Sequence, residues 1–357
     1  MTDNHYIALI SLVAKILLII FSLRYLRTTI NLRYAIDRRV ILMSLLIIIH
    51  SAYYNIDFDY FRYKEYYEGT EFRDTLESIY YVLFQIIPTY TLFRISLWGF
   101  GIIVFIKIYK IYGINPLLGL IFIAVYYLNR YSYARAPIAC IVAIYGLCLL
   151  YENKNRKFSI PLLLLSCVMH KSIILFIAVY LLASKIRFNK KLIISLLIAI
   201  PLLPIALNYL INYVAVHFDI GLTSDSLSDI LNGENHKGFS MSYFIGISSL
   251  VILLLIAIKQ NIELKAKLPK SLRYLFNGTL LMIIICISLL FIPQGYMNLA
   301  VKRYLNLAMI PLLIFASHAY SLSSNVKPVR VLSLIQGIYI IVYNIYLFNH
   351  VDFSEII

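Results

Sequence analysis

The sequence predicts an all-α polytopic membrane protein, and three observations support this fold class. Of its 357 residues, 61% are hydrophobic and only 14% are charged, whereas soluble domains average about 45–50% apolar and about 25% charged residues. The apolar residues fall into blocks of roughly 17–25 residues, the length that a helix needs to cross hydrocarbon. The alternating pattern of membrane β-strands, in segments of about ten residues, is not found. Because backbone polar groups in lipid must pair within their own segment, we expect these blocks to be helices.

The apolar blocks define the candidate membrane segments of a single transmembrane domain, residues 1–357. By length they predict about 10–12 transmembrane helices, one stretch of which forms a short hairpin at 159–183. The blocks cover approximately residues 6–23, 38–54, 92–110, 114–129, 134–151, 159–183, 191–213, 240–258, 272–292, 303–320 and 331–349.

The charges of the connecting segments predict the orientation of these helices. Segment 24–39 carries five arginines against one acid, Asp37, so the positive-inside rule predicts that it is cytoplasmic and that the N-terminus is external. Segment 55–78 carries seven acidic and three basic residues, and segment 214–239 is also acidic, so both are predicted external loops. Most of the 32 lysines and arginines then lie in cytoplasmic loops, and the net charge of +15 reads as an orientation signal. We therefore predict a lipid bilayer partner and no nucleic-acid partner.

One apolar block, 159–183, conflicts with a single crossing. Basic residues precede it at Lys154 and follow it at Lys185, and both ends favour the cytoplasm. His170 and Lys171 lie at its centre, where a simple span would bury them in lipid. We predict two short arms, 159–169 and 172–183, that form a hairpin starting and ending inside. Pro161 suits the first turn of the first arm.

Ionisable residues within or beside spans are candidates for function. In the predicted topology these candidates share the external side of the membrane or its external half. They are Asp57, Asp59, Arg62, Arg94, Arg130, Arg135, His170, Lys171, Lys302 and Arg303. Lys15 is the exception, and we interpret it as structural.

The first external loop contains a tyrosine-rich stretch with helical spacing. Tyr60, Tyr63 and Tyr67 follow Asp59, which could cap a helix, act as a base or bind a sugar. The tyrosines are either anchors in the aromatic belt or platforms for sugar rings. The residue types leave these alternatives open.

The other candidates for function are arginines beside the spans and the residues at the hairpin tip. Arg135, at the start of a span, can form two parallel hydrogen bonds to phosphate oxygens; a contact with lipid headgroups is the alternative, and we favour it for Arg130. Lys302 and Arg303 open a late span, either as anchors at the membrane surface or as a second phosphate contact, which we favour for Arg303. His170 can act as a base near neutral pH. The histidines and acids show no metal-ligand spacing, and we predict neither a metal nor a cofactor.

Taken together, several short motifs resemble the EpsG-like and Wzy-like bacterial polysaccharide polymerases. The motifs are Asp59-Tyr60-x-x-Tyr63, Arg135-x-x-Ile138-Ala139, His170-Lys171-Ser172 and Arg303-Tyr304, and their order and approximate spacing match over residues 50–320. Ala136 departs from the family, whose members commonly have glutamine at that position. The resemblance implies a fold similar to GT-C membrane glycosyltransferases in the bacterial inner (cytoplasmic) membrane.

The resemblance also implies a reaction. Such polymerases join undecaprenyl-pyrophosphate-linked oligosaccharide repeat units, as in O-antigen, capsule or exopolysaccharide, on the periplasmic or outer face. Asp59 and His170 would be the catalytic candidates, Arg135 and Arg303 would bind the pyrophosphate, and sugar contacts would come from Tyr60, Tyr63 and Lys171. The lipid-linked glycans would be the partners, with a chain-length regulator as a further candidate partner.

Two other functions remain as alternatives. A lipid-linked glycan flippase would transport the same molecule without joining it, but it needs a charged cavity open to both faces and usually shows repeat symmetry. An O-antigen ligase would use the same donor with a different acceptor. An acyltransferase is a more distant alternative.

Overall fold

The predicted all-α polytopic membrane fold is confirmed in a computed structural model. The model describes residues 3–26, 33–54, 58–69, 77–128, 135–186, 252–261, 264, 267–290, 295–323 and 327–350. Within these ranges the regular structure is helical, apart from an isolated bridge between Arg33 and Ile114. The helices are α1 (Asp3–Tyr25), α2 (Arg38–Tyr53), α3 (Phe58–Glu68), α4 (Ser78–Ile86), α5 (Tyr90–Tyr112), α6 (Leu117–Phe122), which continues as a π-helical segment (Ile123–Tyr127), α7 (Arg135–Tyr151), α8 (Arg156–Met169), α9 (Ile173–Lys185), α10 (Ile252–Asn261), α11 (Lys270–Leu290), α12 (Gly295–Leu322) and α13 (Lys327–His350).

Several helices have the length and composition of membrane spans. Among the described residues, four helices are long and apolar enough to cross a membrane, namely Tyr6–Tyr25, Tyr90–Tyr112, Tyr304–Leu322 and Lys327–Tyr346. Shorter apolar helices, among them α7 and α9, accompany them. The predicted block 191–213 and the predicted external loop 214–239 lie outside the described residues.

Three helices form the centre of the bundle. Residues 117–128 are buried throughout, and α7 is buried from Pro137 to Leu149 except at Tyr145. In α12, 83% of the residues of an 18-residue apolar stretch are buried, against 39% in the corresponding stretches of α1 and α13. The outer helices therefore present apolar side chains to lipid, while the central helices pack mainly against protein.

Lys15 lies in this packed interior. It is fully buried, and its Nζ donates to the carbonyl of Ala124 at 3.5 Å. Ala124 belongs to the π-helical segment, where the change in hydrogen-bond register alters the partners of the carbonyl groups. This contact is consistent with the structural interpretation of Lys15.

The predicted hairpin within 159–183 is present as α8 and α9. The two helices are separated at His170, whose backbone is extended (φ −160°, ψ 118°). Tyr151, the last residue of α7, donates its hydroxyl to the carbonyl of Tyr180 at 2.9 Å. Because α8 begins shortly after Tyr151, this bond brings the end of α9 back beside the start of α8, as a hairpin requires.

One local prediction was wrong, and two features of the helices were not predicted. Pro161 lies inside α8, and not in its first turn, because that helix begins at Arg156, earlier than the predicted arm. Helix α12 begins at Gly295, about two turns before Lys302 and Arg303, although its apolar span, Tyr304–Leu322, starts directly after them, close to the predicted block 303–320. Helix α4 was not predicted, because its apolar stretch of 9 residues is too short to register as a span.

Candidate functional site

The most distinctive polar cluster among the described residues surrounds Arg135. Its Nη1 forms an ion pair with Oε2 of Glu77, and its Nη2 donates to the hydroxyl of Tyr63. The guanidinium carbon lies 4.1 Å from the centroid of the Tyr63 ring and 5.3 Å from that of Tyr80. The side chains of Arg135 and Glu77 are only 13% and 9% exposed. The cluster is thus a nearly dry cationic site framed by two aromatic rings, which a cation favours.

The packing of α7 against α5 gives the depth of this cluster. A methyl group added at Gly101 would lie 2.9 Å from a side-chain carbon of Ile138, so these two residues are at the same level. The helices run in the same predicted direction, and Arg135 comes three residues before Ile138. By the rise of a helix, Arg135 therefore lies about 12 Å below the external start of α5. In the predicted topology, this depth corresponds to the external half of the bundle.

Helices α7 and α12 also run in the same direction. The thiol of Cys140 donates to the carbonyl of Leu307 at 3.6 Å. Further along both helices, Tyr112 of α5 contacts each of them. Its hydroxyl donates to Cys148 at 3.0 Å, and its ring centroid lies 5.5 Å from that of His318.

This parallel register brings the second predicted arginine to the level of the first. Arg303 comes four residues before Leu307, and Ala136 comes four residues before Cys140. The backbone of Arg303 therefore lies level with the start of α7, on the neighbouring helix α12. The structure describes only the backbone of Arg303.

Helix α3 supplies Tyr63 and packs on the following elements through its tyrosines. The Tyr67 hydroxyl donates to the carbonyl of Ile87, and the Tyr67 ring meets Phe84 edge to face with centroids 5.1 Å apart. Tyr63 itself contacts Arg135. Its contact with a sugar remains a prediction. Asp59 and Tyr60, of which only the backbone is described, lie one turn before Tyr63.

Asp59 does not occupy the N-cap position of α3. The helix begins at Phe58, so Asp59 is in its first turn and not at the N-cap. Since residues four apart share a helix face, Asp59 lies on the same side of α3 as Tyr63.

The tip of the hairpin lies near this cluster across an apolar cleft. The cleft has a volume of about 220 Å³ and is formed by α4, α5 and α8. Its lining residues are Ile79, Tyr80, Leu83, Ile87, Phe93, Ser96, Leu97, Phe100, Leu165 and Met169. Tyr80 belongs both to the cleft and to the Arg135 cluster, whereas Met169 immediately precedes His170. The cleft is therefore lined by a residue that contacts Arg135 and by the residue that precedes His170.

His170 is half-buried at the hairpin tip. Its Nδ1 is 2.8 Å from the hydroxyl oxygen of Ser172 and 3.3 Å from the backbone nitrogen of the same residue. These contacts fix the ring orientation. Lys171 beside it is exposed, as expected for a side chain that reaches water or a polar ligand.

Other candidates have different surroundings. Arg94 is buried and donates to the backbone carbonyls of Ser51 and Tyr54, the latter at 2.9 Å. It links the end of α2 to the start of α5. Asp57 and Arg130 lie outside the described residues.

Glu77 is the functional candidate that the sequence analysis missed. It was counted only as one of the acids that mark segment 55–78 as external. It occupies the N-cap position of α4 without a side-chain cap hydrogen bond, and its carboxylate binds Arg135 instead. The sequence contains one relevant signal, an acid immediately before an apolar helical stretch, but nothing that identifies its partner.

The described residues contain no group of three His, Cys, Asp or Glu side chains able to hold a metal ion. Metal independence therefore remains a prediction.

The fold and the cluster define a class: polytopic helical membrane proteins with a nearly buried cationic site, here at the start of α7. The EpsG family matches residues 37–356 of this chain, nearly its whole length, so the chain belongs to the EpsG family. That family is bacterial and comprises membrane proteins of the polysaccharide polymerase type. No curated protein and no solved structure matches the chain.

Proposed function

We propose that this chain is a membrane glycosyltransferase that polymerises undecaprenyl-pyrophosphate-linked oligosaccharide repeat units on the outer face of the bacterial cytoplasmic membrane. The observation that carries the proposal is the nearly dry guanidinium of Arg135 at the start of α7, on the predicted external side of an EpsG-family protein. A buried cation is costly unless it meets an anion, and Glu77, which meets this one in the empty site, occupies a position that an anionic substrate could take.

Pyrophosphate is an anion that matches this site. A guanidinium can donate two parallel hydrogen bonds to phosphate oxygens, and such charge-assisted bonds are roughly twice as strong as neutral ones. Arg303, whose backbone is level with the start of α7, would supply the second guanidinium. Together the two arginines would stabilise the negative charge that develops on the leaving pyrophosphate.

In the proposed reaction, a hydroxyl of the acceptor sugar attacks the anomeric carbon of the donor. The new glycosidic C–O bond forms as the bond from that carbon to the pyrophosphate oxygen breaks. The hydroxyl proton passes to a base, for which Asp59 and His170 are the candidates. Undecaprenyl pyrophosphate leaves with the electron pair of the broken bond, and Tyr60, Tyr63 and Lys171 would contact the sugars.

The apolar cleft beside Tyr80 would accept part of the hydrocarbon chain of the donor. Its lining is almost entirely apolar, and several side chains around it are exposed on the outer surface of the bundle, including Val82, Ile86 and Leu164. A lipid whose phosphates meet Arg135 could therefore extend its chain toward the bilayer without crossing polar surface.

The direct test uses the purified chain in lipid discs, supplied with the single-repeat lipid that accumulates in cells lacking this protein. We expect glycans of many repeats and one released undecaprenyl pyrophosphate for each bond formed. Transfer of the lipid between leaflets without chain growth would instead indicate a flippase. Growth only after a lipid A core acceptor is added would indicate a ligase.

A further inference from the structure

Both terminal nitrogens of Arg135 already have partners. Nη1 donates to Glu77, and Nη2 donates to the hydroxyl of Tyr63. The rings of Tyr63 and Tyr80 lie against the same guanidinium. Each terminal nitrogen keeps a second N–H, but an incoming anion meets a cation whose charge is already compensated and competes with these partners for it.

Of these partners, the carboxylate is the one that an anion would replace. Glu77 compensates the charge of the guanidinium in the empty site, and a phosphate group would likewise supply negative charge and two acceptor oxygens that match the guanidinium fork. If both anions stayed, two negative charges would share one buried cation, and like charges at short distance in low dielectric repel strongly. Tyr63 is neutral and can donate to a phosphate oxygen from where it lies.

We infer that Glu77 is an internal substitute for the pyrophosphate of the substrate: it holds Arg135 in the empty protein and is displaced when the anion binds. The inference rests on the proposed role of Arg135, and it adds a positioning residue to that site. Glu77 keeps the guanidinium oriented and makes the ion pair neutral overall until the substrate arrives.

Tyr80 supports the presence of a ligand at this position. Its side chain is fully buried, and among the described residues its hydroxyl has no hydrogen-bond partner. An orphaned buried hydroxyl costs about 1–3 kcal/mol. A phosphate oxygen on Arg135 is a candidate acceptor for this hydroxyl, since the Tyr80 ring already lies beside the guanidinium.

The displacement also has a structural consequence. Glu77 immediately precedes α4, whereas Tyr63 belongs to α3, and Arg135 holds both against α7. Release of Glu77 alone would loosen the start of α4, while Tyr63 would keep α3 in place. The same helix forms one wall of the apolar cleft through Tyr80 and Leu83, so anion binding and entry of the lipid chain would be coupled.

The experiment measures binding and displacement without requiring polymerisation. The whole chain in lipid discs is titrated with inorganic pyrophosphate, and a hydrophobic carbodiimide labels its carboxyl groups for mass spectrometry. We expect pyrophosphate to increase the labelling rate of Glu77 roughly tenfold, if Glu77 occupies Arg135 about nine-tenths of the time in the empty site. Glu152, whose carboxylate accepts from the backbone nitrogen of Ser271 at 2.9 Å at the other end of the bundle, is the internal control and should not change.

Two variants test the same competition from the protein side. Glu77→Gln keeps the shape but removes the competing charge, so its Kd for pyrophosphate should fall about tenfold or more by the same reasoning. Glu77→Asp keeps the charge and should stay close to the original chain. Tyr80→Phe should weaken pyrophosphate binding in either background.

Each result either supports or overturns the displacement of Glu77. Unchanged or slower labelling of Glu77 with bound pyrophosphate overturns the inference, as does a Kd for Glu77→Gln that is equal or higher, or absence of binding to both proteins. Pyrophosphate binding with release of Glu77 in a chain that forms no polymer would retain the inference and reject the proposed function.

Discussion

At the residue scale, the central question is why an EpsG-family membrane protein buries Arg135 inside its helical bundle. A cation within a membrane protein is expensive, and the ion pair with Glu77 only replaces one buried charge by two. Replacing such a pair with apolar residues is often neutral or stabilising, so stability alone does not explain it. The proposed binding of an anionic substrate would explain it.

The first prediction concerns the geometry of that arginine. Arg135→Ala removes the charge, and Arg135→Lys keeps it but loses the planar fork. Losing one donor to a developing oxyanion costs ~2.7–4 kcal/mol, or about 10²–10³ in rate. We therefore expect both variants to accumulate single-repeat glycans in place of long chains. Arg135→Lys keeps a cation beside Glu77 and should do so at unchanged protein levels, whereas Arg135→Ala leaves that carboxylate buried without its partner, at a cost of about 3–5 kcal/mol of stability. Chain length on gels and immunoblots of the membrane fraction provide the measurements.

Two other arginines provide the comparison for this prediction. Arg303→Ala should give the same glycans as Arg135→Ala, because one guanidinium is insufficient for two phosphates. Arg130→Ala should be much milder, as expected for a contact with lipid headgroups. If Arg130→Ala blocks chain growth while Arg135→Ala permits it, the phosphate assignment is wrong. If all three variants make normal chains, the arginines are orientation anchors.

At the element scale, the hairpin of α8 and α9 has a direct topological test. Lys154→Cys and Lys185→Cys should both react only with a reagent added from the cytoplasmic side, and Glu65→Cys only with one added outside. The unsubstituted chain is the background control, since its described cysteines are buried or half-buried. Opposite-side labelling of positions 154 and 185 would mean a single crossing.

The packing of α9 on α11 depends on a glycine. A methyl group at Gly278 would overlap the ring of Tyr180, which cannot easily move. That ring stacks on Phe176 with centroids 4.2 Å apart, and its hydroxyl lies 2.9 Å from the side-chain oxygen of Thr279.

We therefore expect Gly278→Ala to lower the free energy of unfolding by about 1–3 kcal/mol, the usual cost of overpacking. Gly99→Ala is the matched control, because a methyl group there meets no atom within 4 Å. That substitution should be neutral or slightly stabilising, since alanine favours helix by up to about 1 kcal/mol. Thermal unfolding in detergent compares the two, and equal Tm values would contradict the packing argument.

The sequence predicts a helix where an apolar stretch is long enough to span a membrane. Helices α1, α2, α5 and α7 lie close to the predicted blocks. Helix α4 was missed because it is short and follows an acidic segment, so no window of span length marks it. The early start of α12 was missed because Gly295 and the polar residues after it gave no apolar signal.

At the scale of the whole molecule, the charge distribution predicts which end of the bundle is external and carries the candidate site. It could not predict the contacts within it. Glu77 and Arg135 are separated by 58 positions, and their pairing depends on how α4 and α7 pack. The level of Arg303 depends likewise on the register of α7 and α12, which a single sequence does not encode in any local pattern. The hairpin is the exception, because its basic flanks carried the topological information.

The last prediction concerns the source of catalytic charge. Phosphate chemistry needs positive charge at the leaving oxygens, and a divalent cation or a set of arginines can supply it. In this chain Arg135 and Arg303 are the proposed suppliers. We therefore expect polymerisation by the purified protein to persist in excess chelator, measured as chain length and released undecaprenyl pyrophosphate. Arg135→Ala should not regain activity with added magnesium, because Glu77 belongs to no group of three metal-binding side chains among the described residues. Loss of activity in chelator that one divalent ion restores would instead identify a metal-dependent enzyme, and the arginines would then serve only to bind the substrate.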